Sequence, residues 1–225
     1  EHDDSYKHME TYYDDLSGKV LEPKLIMEAR AEEIAEDHKH GVYTKVPIQQ
    51  CYDHTGKAPI GIRWVYVNKG DDENPEYRAR LVAKEINTHK RLDMFAATPP
   101  LEALRLIVSL AAEDDRRQAS LVDISRAYFN AMITRQVFVR LPPEAGYPPY
   151  MAARLKRAAY GLNDAPRKWF NKLDQCLRKY GLKPTRADRC CYVQYGPATA
   201  QKGWEAHSVW EAKTDEQGCS ATLDS

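Results

Sequence analysis

Long apolar runs are missing from this 225-residue chain: stretches such as Leu106–Ala112 fall well short of the roughly 20 residues a membrane helix needs. No basic-then-apolar leader opens it, so the expectation is an intracellular protein, cytoplasmic or nuclear, with no transmembrane segment. The first residue is Glu1 rather than Met, which reads as a processed product or an excerpt from a longer reading frame. Cysteine is scarce as well. The five present, Cys51, Cys176, Cys190, Cys191 and Cys219, are odd in number and contain no C-x-x-C, so free buried thiols are expected rather than zinc or a disulfide framework. Adjacent Cys190 and Cys191 would face opposite sides of a strand. Internal repeats are absent, and His38 and His40, two apart on a helix, cannot share a metal easily.

Net charge is also lacking, since 33 Lys and Arg balance 33 Asp and Glu. The balance hides an asymmetry: residues 1–50 carry 6 basic and 12 acidic side chains, a net of -6, whereas residues 151–189 carry 11 and 3, a net of +8. The basic segment suits an anionic partner, a nucleic acid or the acidic N-terminal stretch of the same chain. Apolar residues at 43% and charged residues at 29% place the chain among globular proteins large enough to bury a core.

Periodicity then supplies the elements. Residues 1–17 are acidic and aperiodic, an irregular lead-in. Pro23 to His40 read as a helix with proline in its first turn and Gly41 at its stop. Residues 62–67 and 77–83 are β-rich runs joined by a polar loop, a hairpin. After Pro99-Pro100, Leu101, Leu104, Val108 and Ala111 make one stripe of a core helix. Leu121–Ile124 read as a buried strand leading into a short helix over 125–132. Residues 137–141 and 153–157 read as further strands. A Gly/Pro turn at 161–166 enters a helix whose Trp169, Leu173, Leu177 and Tyr180 share a face, and 190–195 as a last strand.

Asp123 stands out, because an ionised carboxylate in an apolar strand is costly unless paired or bound to a cation. By spacing alone a helix cap is the plainer reading. Its company changes the odds. Gly41-Val42-Tyr43, Arg63-Trp64-Val65, Tyr77 to Lys84, Thr98 to Glu102, Val122 to Phe129 and Tyr160 to Trp169 together resemble, in order, the reverse transcriptase domain of copia-type retrotransposons. The resemblance covers roughly residues 20–195. It implies an α+β fold with reverse-transcriptase-like fingers and an incomplete palm, an antiparallel sheet backed by helices. The expected division is an acidic lead-in (1–19), an N-terminal helical extension (20–60), a fingers-like hairpin and helix (61–118), a partial palm (119–196) and a mobile, non-matching tail (197–225).

What the resemblance implies for chemistry is template-directed nucleotidyl transfer to a primer 3'-hydroxyl with Mg2+ as cofactor. Asp123 would bind the metal, with the Ile124 carbonyl facing the same ion. Tyr128 would close over the incoming sugar, with core packing as its alternative; Phe129 is expected in the core. Lys69, Arg78 and Arg80 would hold the triphosphate. Arg78 and Arg80 share a strand face and could equally keep it solvated. Gly161 and Pro166 would approach the template and nascent base pair, or simply make a tight helix entry, and Arg167, Lys168 and Lys172 would touch backbone phosphate or decorate a wet face. The partners would be a deoxynucleoside triphosphate and a primed RNA or DNA template, within a larger polyprotein.

One expected part is missing. The family places an aspartate pair on a hairpin after the strand matching Cys191-Tyr192-Val193, but residues 196–225 hold only Asp215-Glu216, without flanking apolar strands. Asp71-Asp72 and Asp114-Asp115 lie elsewhere. The expectations are therefore a catalytically incomplete polymerase fragment, a degenerate palm kept as a nucleic-acid-binding module, or a decayed relic.

Overall fold

A computed structural model describes residues 11–86, 96, 98–114, 119–194, 211–213 and 220–222, the last two stretches as backbone. The chain divides into two compact units, Glu1–Lys90 with Ala131–Ala165 and Arg91–Asn130 with Pro166–Ser225.

In the first unit, strands β1 (Tyr12–Tyr13) and β2 (Val20–Leu21) pair antiparallel. The lead-in is therefore structured over its described part. The reason is long-range: Asp14 accepts the backbone N–H groups of Leu16 (2.8 Å) and Ser17 (2.6 Å) through one oxygen and that of Asn68 (2.6 Å) through the other. Asp15 accepts the N–H of Tyr66 at 2.8 Å. Acidity that reads as solvated disorder is spent on backbone donors 51 to 54 residues away.

Helix α1 (Pro23–Lys39) begins at Pro23, whose fixed φ suits the first turn. It stops where Gly41 adopts φ +58°. Its buried residues Ile26, Ala29, Arg30, Glu33 and Asp37 recur every three or four positions. That stripe packs on the hairpin of β4 (Ile62–Asn68) and β5 (Tyr77–Ala83), where Leu21, Ile26, Ala29, Tyr66 and Ala79 form a core lined by Tyr12, Trp64 and Tyr77. Arg30 is buried in it because aromatic faces surround its guanidinium, with Tyr12, Tyr66 and Trp64 ring centres at 4.9, 5.3 and 5.4 Å. Its Nε donates to the Tyr66 hydroxyl at 2.8 Å, and Glu144 pairs with the other side.

Strand β3 (Tyr43–Pro47) interrupts what reads from sequence as a helical extension, and it runs straight into helix α2 (Ile48–Thr55). With β6 (Phe138–Arg140) and β7 (Met151–Leu155) it makes an antiparallel sheet in the order β3-β7-β6, Thr44 and Phe138 both facing Arg154. Ala152 and Ala153 sit at its centre, fully buried, because small side chains let flanking elements approach.

The second unit holds helix α3 (Leu101–Ala112), a 3-10 turn over Ala127–Asn130 and helix α4 (Ala165–Lys179, its first residue in the first unit). Strands β8 (Lys183–Pro184) and β9 (Tyr192–Val193) pair antiparallel, as do β10 (Glu211–Lys213) and β11 (Ser220–Thr222). Four expectations change here. α3 forms where its period places it, but it buries no residue: Leu104, Leu106, Ile107 and Val108 are each more than half exposed. Leu121–Ile124 forms no strand, and Leu121 is fully exposed, because no described segment offers a ladder to it. The final strand shortens to two residues, so Cys190 and Cys191 precede it as free thiols, whereas Cys176 is disulfide-bonded rather than free. Apart from β10 and β11, the tail expected to be mobile lies outside the described residues.

Among the described residues every pair of named strands is antiparallel and helices accompany them, which agrees with the mixed α and β class. Among the described residues, no helix is long and apolar enough to cross a membrane.

Candidate functional site

The β4–β5 hairpin is in register from Ile62 opposite Ala83 to Asn68 opposite Tyr77. Alternation puts Ala79 into the core and leaves Arg78 and Arg80 exposed on the other face, as their spacing predicts. The tip is pre-shaped. Asn68 Oδ1 accepts the N–H groups of Gly70 (3.0 Å) and Glu76 (2.9 Å), and Asp71 accepts those of Glu73 (3.0 Å) and Asn74 (2.6 Å). Lys69 lies in this loop with its backbone N–H on the Glu76 carbonyl at 2.8 Å and its side chain exposed. Arg78 is held at 3.0 Å by Glu76, an exposed pair that a stronger anion can displace at small cost. Arg80 instead lies over the Tyr160 ring, 5.0 Å from its centre.

That contact belongs to the turn carrying Gly161. The Ala83 N–H donates to the Tyr160 carbonyl at 2.9 Å, so the turn lies directly against the end of β5. Gly161 has φ +80°, and a Cβ there would meet the Ala83 oxygen at 2.0 Å and Val82 Cγ1 at 2.6 Å. Only glycine fits on both counts. The structure thus brings Arg80 and Gly161 together through Tyr160.

An ion network that sequence reasoning missed holds the same turn. Arg135 donates to Glu85 at 2.7 and 2.9 Å and to Asp164 at 2.8 and 3.0 Å, and Glu85 also accepts the Asn163 N–H at 2.8 Å. The Asp164 carboxylate, with Glu85, raises the Arg135 pKa further above its usual value. Its bonds join residues 29 to 78 positions apart, so no local pattern announces it.

In the second unit, Asp123 is exposed, Ile124 and Tyr128 are half-buried, and Phe129 is buried as expected. Arg126 between them takes φ +48°, a left-handed conformation that costs a non-glycine residue about 1 kcal/mol. Helix α4 carries Pro166, Arg167, Lys168 and Lys172, all half-buried, and no acid in its first turn. Arg167 lies over Phe170, 5.7 Å from the ring centre. Further along, Asp174 pairs with Arg178 at 2.9 Å and accepts the Tyr192 hydroxyl at 2.7 Å; Arg178 above all holds its carboxyl below the usual range.

One carboxylate and a neighbouring carbonyl are donors that Mg2+ accepts, but they do not make up a two-ion centre. Among the described residues, no group of three or more His, Cys, Asp or Glu side chains is placed to hold a metal ion.

Residues 49–200 match the family described as reverse transcriptase (RNA-dependent DNA polymerase). The retrovirus-related Pol polyprotein from transposon TNT 1-94 of Nicotiana tabacum is 30% identical over 180 residues, 77% of this chain and 13% of that protein. That from transposon RE2 of Arabidopsis thaliana is 30% identical over 142 residues, 60% of this chain and 10% of its own length. The transposon Ty1-BL Gag-Pol polyprotein of Saccharomyces cerevisiae is 29% identical over 139 residues, covering 60% and 8%. The chain therefore spans about a tenth of the length of the curated relatives it matches. No solved structure matches it. With two-thirds of its residues inside the family match, the chain belongs to the copia-type reverse transcriptases (RNA-dependent DNA polymerases) of retrotransposon Pol polyproteins.

Proposed function

We propose that this chain is a piece of a retrotransposon RNA-directed DNA polymerase, with residues 61–118 as fingers and 119–196 as a partial palm, and that it is inactive alone. The observation that carries the reading is Asp123: an exposed carboxylate inside the family-matched region, beside the Ile124 carbonyl, with no metal-binding cluster among the described residues. Magnesium, when bound, supplies charge neutralisation of the triphosphate and activation of the primer hydroxyl. Two such ions need more carboxylates than these residues provide.

The remaining roles follow from side-chain chemistry. Lys69, Arg78 and Arg80 project from a rigid hairpin and hold triphosphate oxygens, Arg78 exchanging Glu76 for phosphate. Tyr128 lies against the incoming sugar. Gly161, whose missing Cβ lets its turn lie against β5 and whose turn is clamped by the Arg135 network, presents backbone to the nascent base pair, and Pro166 lies in the first turn of the following helix. Deoxynucleoside triphosphate and a primed RNA or DNA template are the substrates.

Primer extension on a homopolymer RNA template with Mg2+ tests this on three proteins: this chain, a version extended through a downstream aspartate pair, and that version with Asp123→Asn. The expected result is activity in the extended chain alone. Activity in the short chain, or activity that survives Asp123→Asn, overturns the proposal. A second reading, a nucleic-acid-binding module, is favoured by Arg167 and Lys168 in the first turn of α4, a turn that carries no acidic residue of its own and where cations oppose the helix dipole. It predicts silence in all three proteins with RNA binding that falls steeply with salt.

A further inference from the structure

We propose that an open cleft of about 290 Å3 in the first unit, lined by Thr44, Arg135, Gln136, Arg154 and Lys156, binds a phosphate oxyanion. None of these residues has a role in the proposed polymerase chemistry except Arg135, which braces the Gly161 turn.

Among the described residues, the cleft carries three cations and no carboxylate on its walls. They are not equivalent. Arg135 is more than neutralised from behind by the two carboxylates of Glu85 and Asp164 and adds no net positive charge, whereas Arg154 and Lys156 have no ion-pair partner among the described residues. Arg154 is half-buried on β7 between Thr44 and Phe138, and Leu155 beside it is buried, so the backbone that presents it is fixed by strands on both sides. Lys156 is fixed too. Its N–H donates to the Val42 carbonyl at 2.8 Å, and its carbonyl accepts the Ile133 N–H at 2.9 Å. Two unmatched cations on a rigid wall repel each other, and an anion between them relieves that repulsion. The Thr44 hydroxyl and Gln136 amide add neutral donors suited to phosphoryl oxygens.

Size narrows the ligand. At about 30 Å3 per water the cleft holds roughly ten waters, room for one or two phosphate groups with part of their hydration and too little for a larger drug-sized ligand. Such a group comes from a free anion of the pyrophosphate kind or from the backbone of a single strand.

Two probes on the full chain distinguish these sources: inorganic pyrophosphate by calorimetric titration, and a fluorescein-labelled RNA dodecamer by anisotropy across a salt series. Each is run with Arg154→Gln, Lys156→Gln, the double variant and Arg154→Lys. Loss of pyrophosphate binding by about tenfold or more for each cation removed, with Arg154→Lys largely retaining it, supports the free anion. Loss confined to RNA, with a salt slope shallower by about 1.4 in the double variant, supports the strand backbone. Lys156 is exposed, so Lys156→Gln decides the matter by itself if the double variant fails to fold. Affinities for both probes unchanged by these substitutions, or no binding of either, overturn the proposal. Primer extension by the extended chain reads the polymerase proposal separately from these binding assays, so failure here and failure of that reading are told apart.

Discussion

Replacing Gly161 by alanine places two separable strains at one position, and a second glycine isolates one of them. Both Gly161 and Gly56 have left-handed φ, +80° and +65°. A Cβ at Gly56 has nothing within 4 Å, whereas at Gly161 it lands 2.0 Å from the Ala83 oxygen. Gly56→Ala therefore costs the conformational term, about 1 kcal/mol. Gly161→Ala costs that and more, because Ala83 cannot retreat: it is paired with Ile62 in the ladder. The turn must lift away, breaking the Ala83 N–H bond to Tyr160, worth about 1 kcal/mol, and loosening the packing around it. The sum is about 3 kcal/mol. For a chain of this size that corresponds to about 6–12 °C in melting temperature, against about 2–4 °C for Gly56→Ala. Urea unfolding gives the totals, and hydrogen exchange locates the loss, with the Ala83 amide deprotected in Gly161→Ala alone. Equal destabilisation of the two variants, within about 0.5 kcal/mol, refutes the close-approach argument.

Arg135→Met leaves Glu85 and Asp164 facing each other with their cation gone; since Arg135 is about one-third exposed, the expected loss is about 2 kcal/mol rather than the larger penalty of a fully buried pair. An unchanged urea midpoint would show that the network is ornamental. The Asp14 carboxyl is pushed down to about 2, first by the Asn68 N–H and then by that of Ser17, against an ordinary value near 3.9. A depressed folded value means its contribution is full above about pH 4 and fades as pH falls through about 2. Carbon NMR titration of Asp14 checks the value, and Asp14→Asn is expected to flatten acid unfolding across that window.

Helices α1 and α4, the β4–β5 hairpin and the first-unit strands 138–140 and 151–155 were legible because prolines, glycines and a clear period lie within each segment. The candidate residues were legible for another reason: Asp123, Arg78, Arg80 and Gly161 sit in ordered blocks that resemble one family. The misreadings share a cause. The β1–β2 pair and strand β3 are built by partners far along the chain, Asn68 and Tyr66 for Asp14 and Asp15, and β7 for Tyr43–Pro47. Leu121–Ile124 shows the converse, a strand pattern without a ladder.

By itself the sequence determined the family, the elements whose period and punctuation are local, such as α1, α4 and the β4–β5 hairpin, and which side chains carry suitable chemistry, since these depend on residue type and on spacing within a few turns. Only the tertiary structure decided that Arg80 meets Tyr160, that Gly161 touches β5, that Arg135 closes on two distant acids, and that Arg154 and Lys156 share a cleft with no counter-ion among the described residues. Such contacts are set by ladder register and by charges brought together across tens of residues, and neither is written in any short stretch of chain.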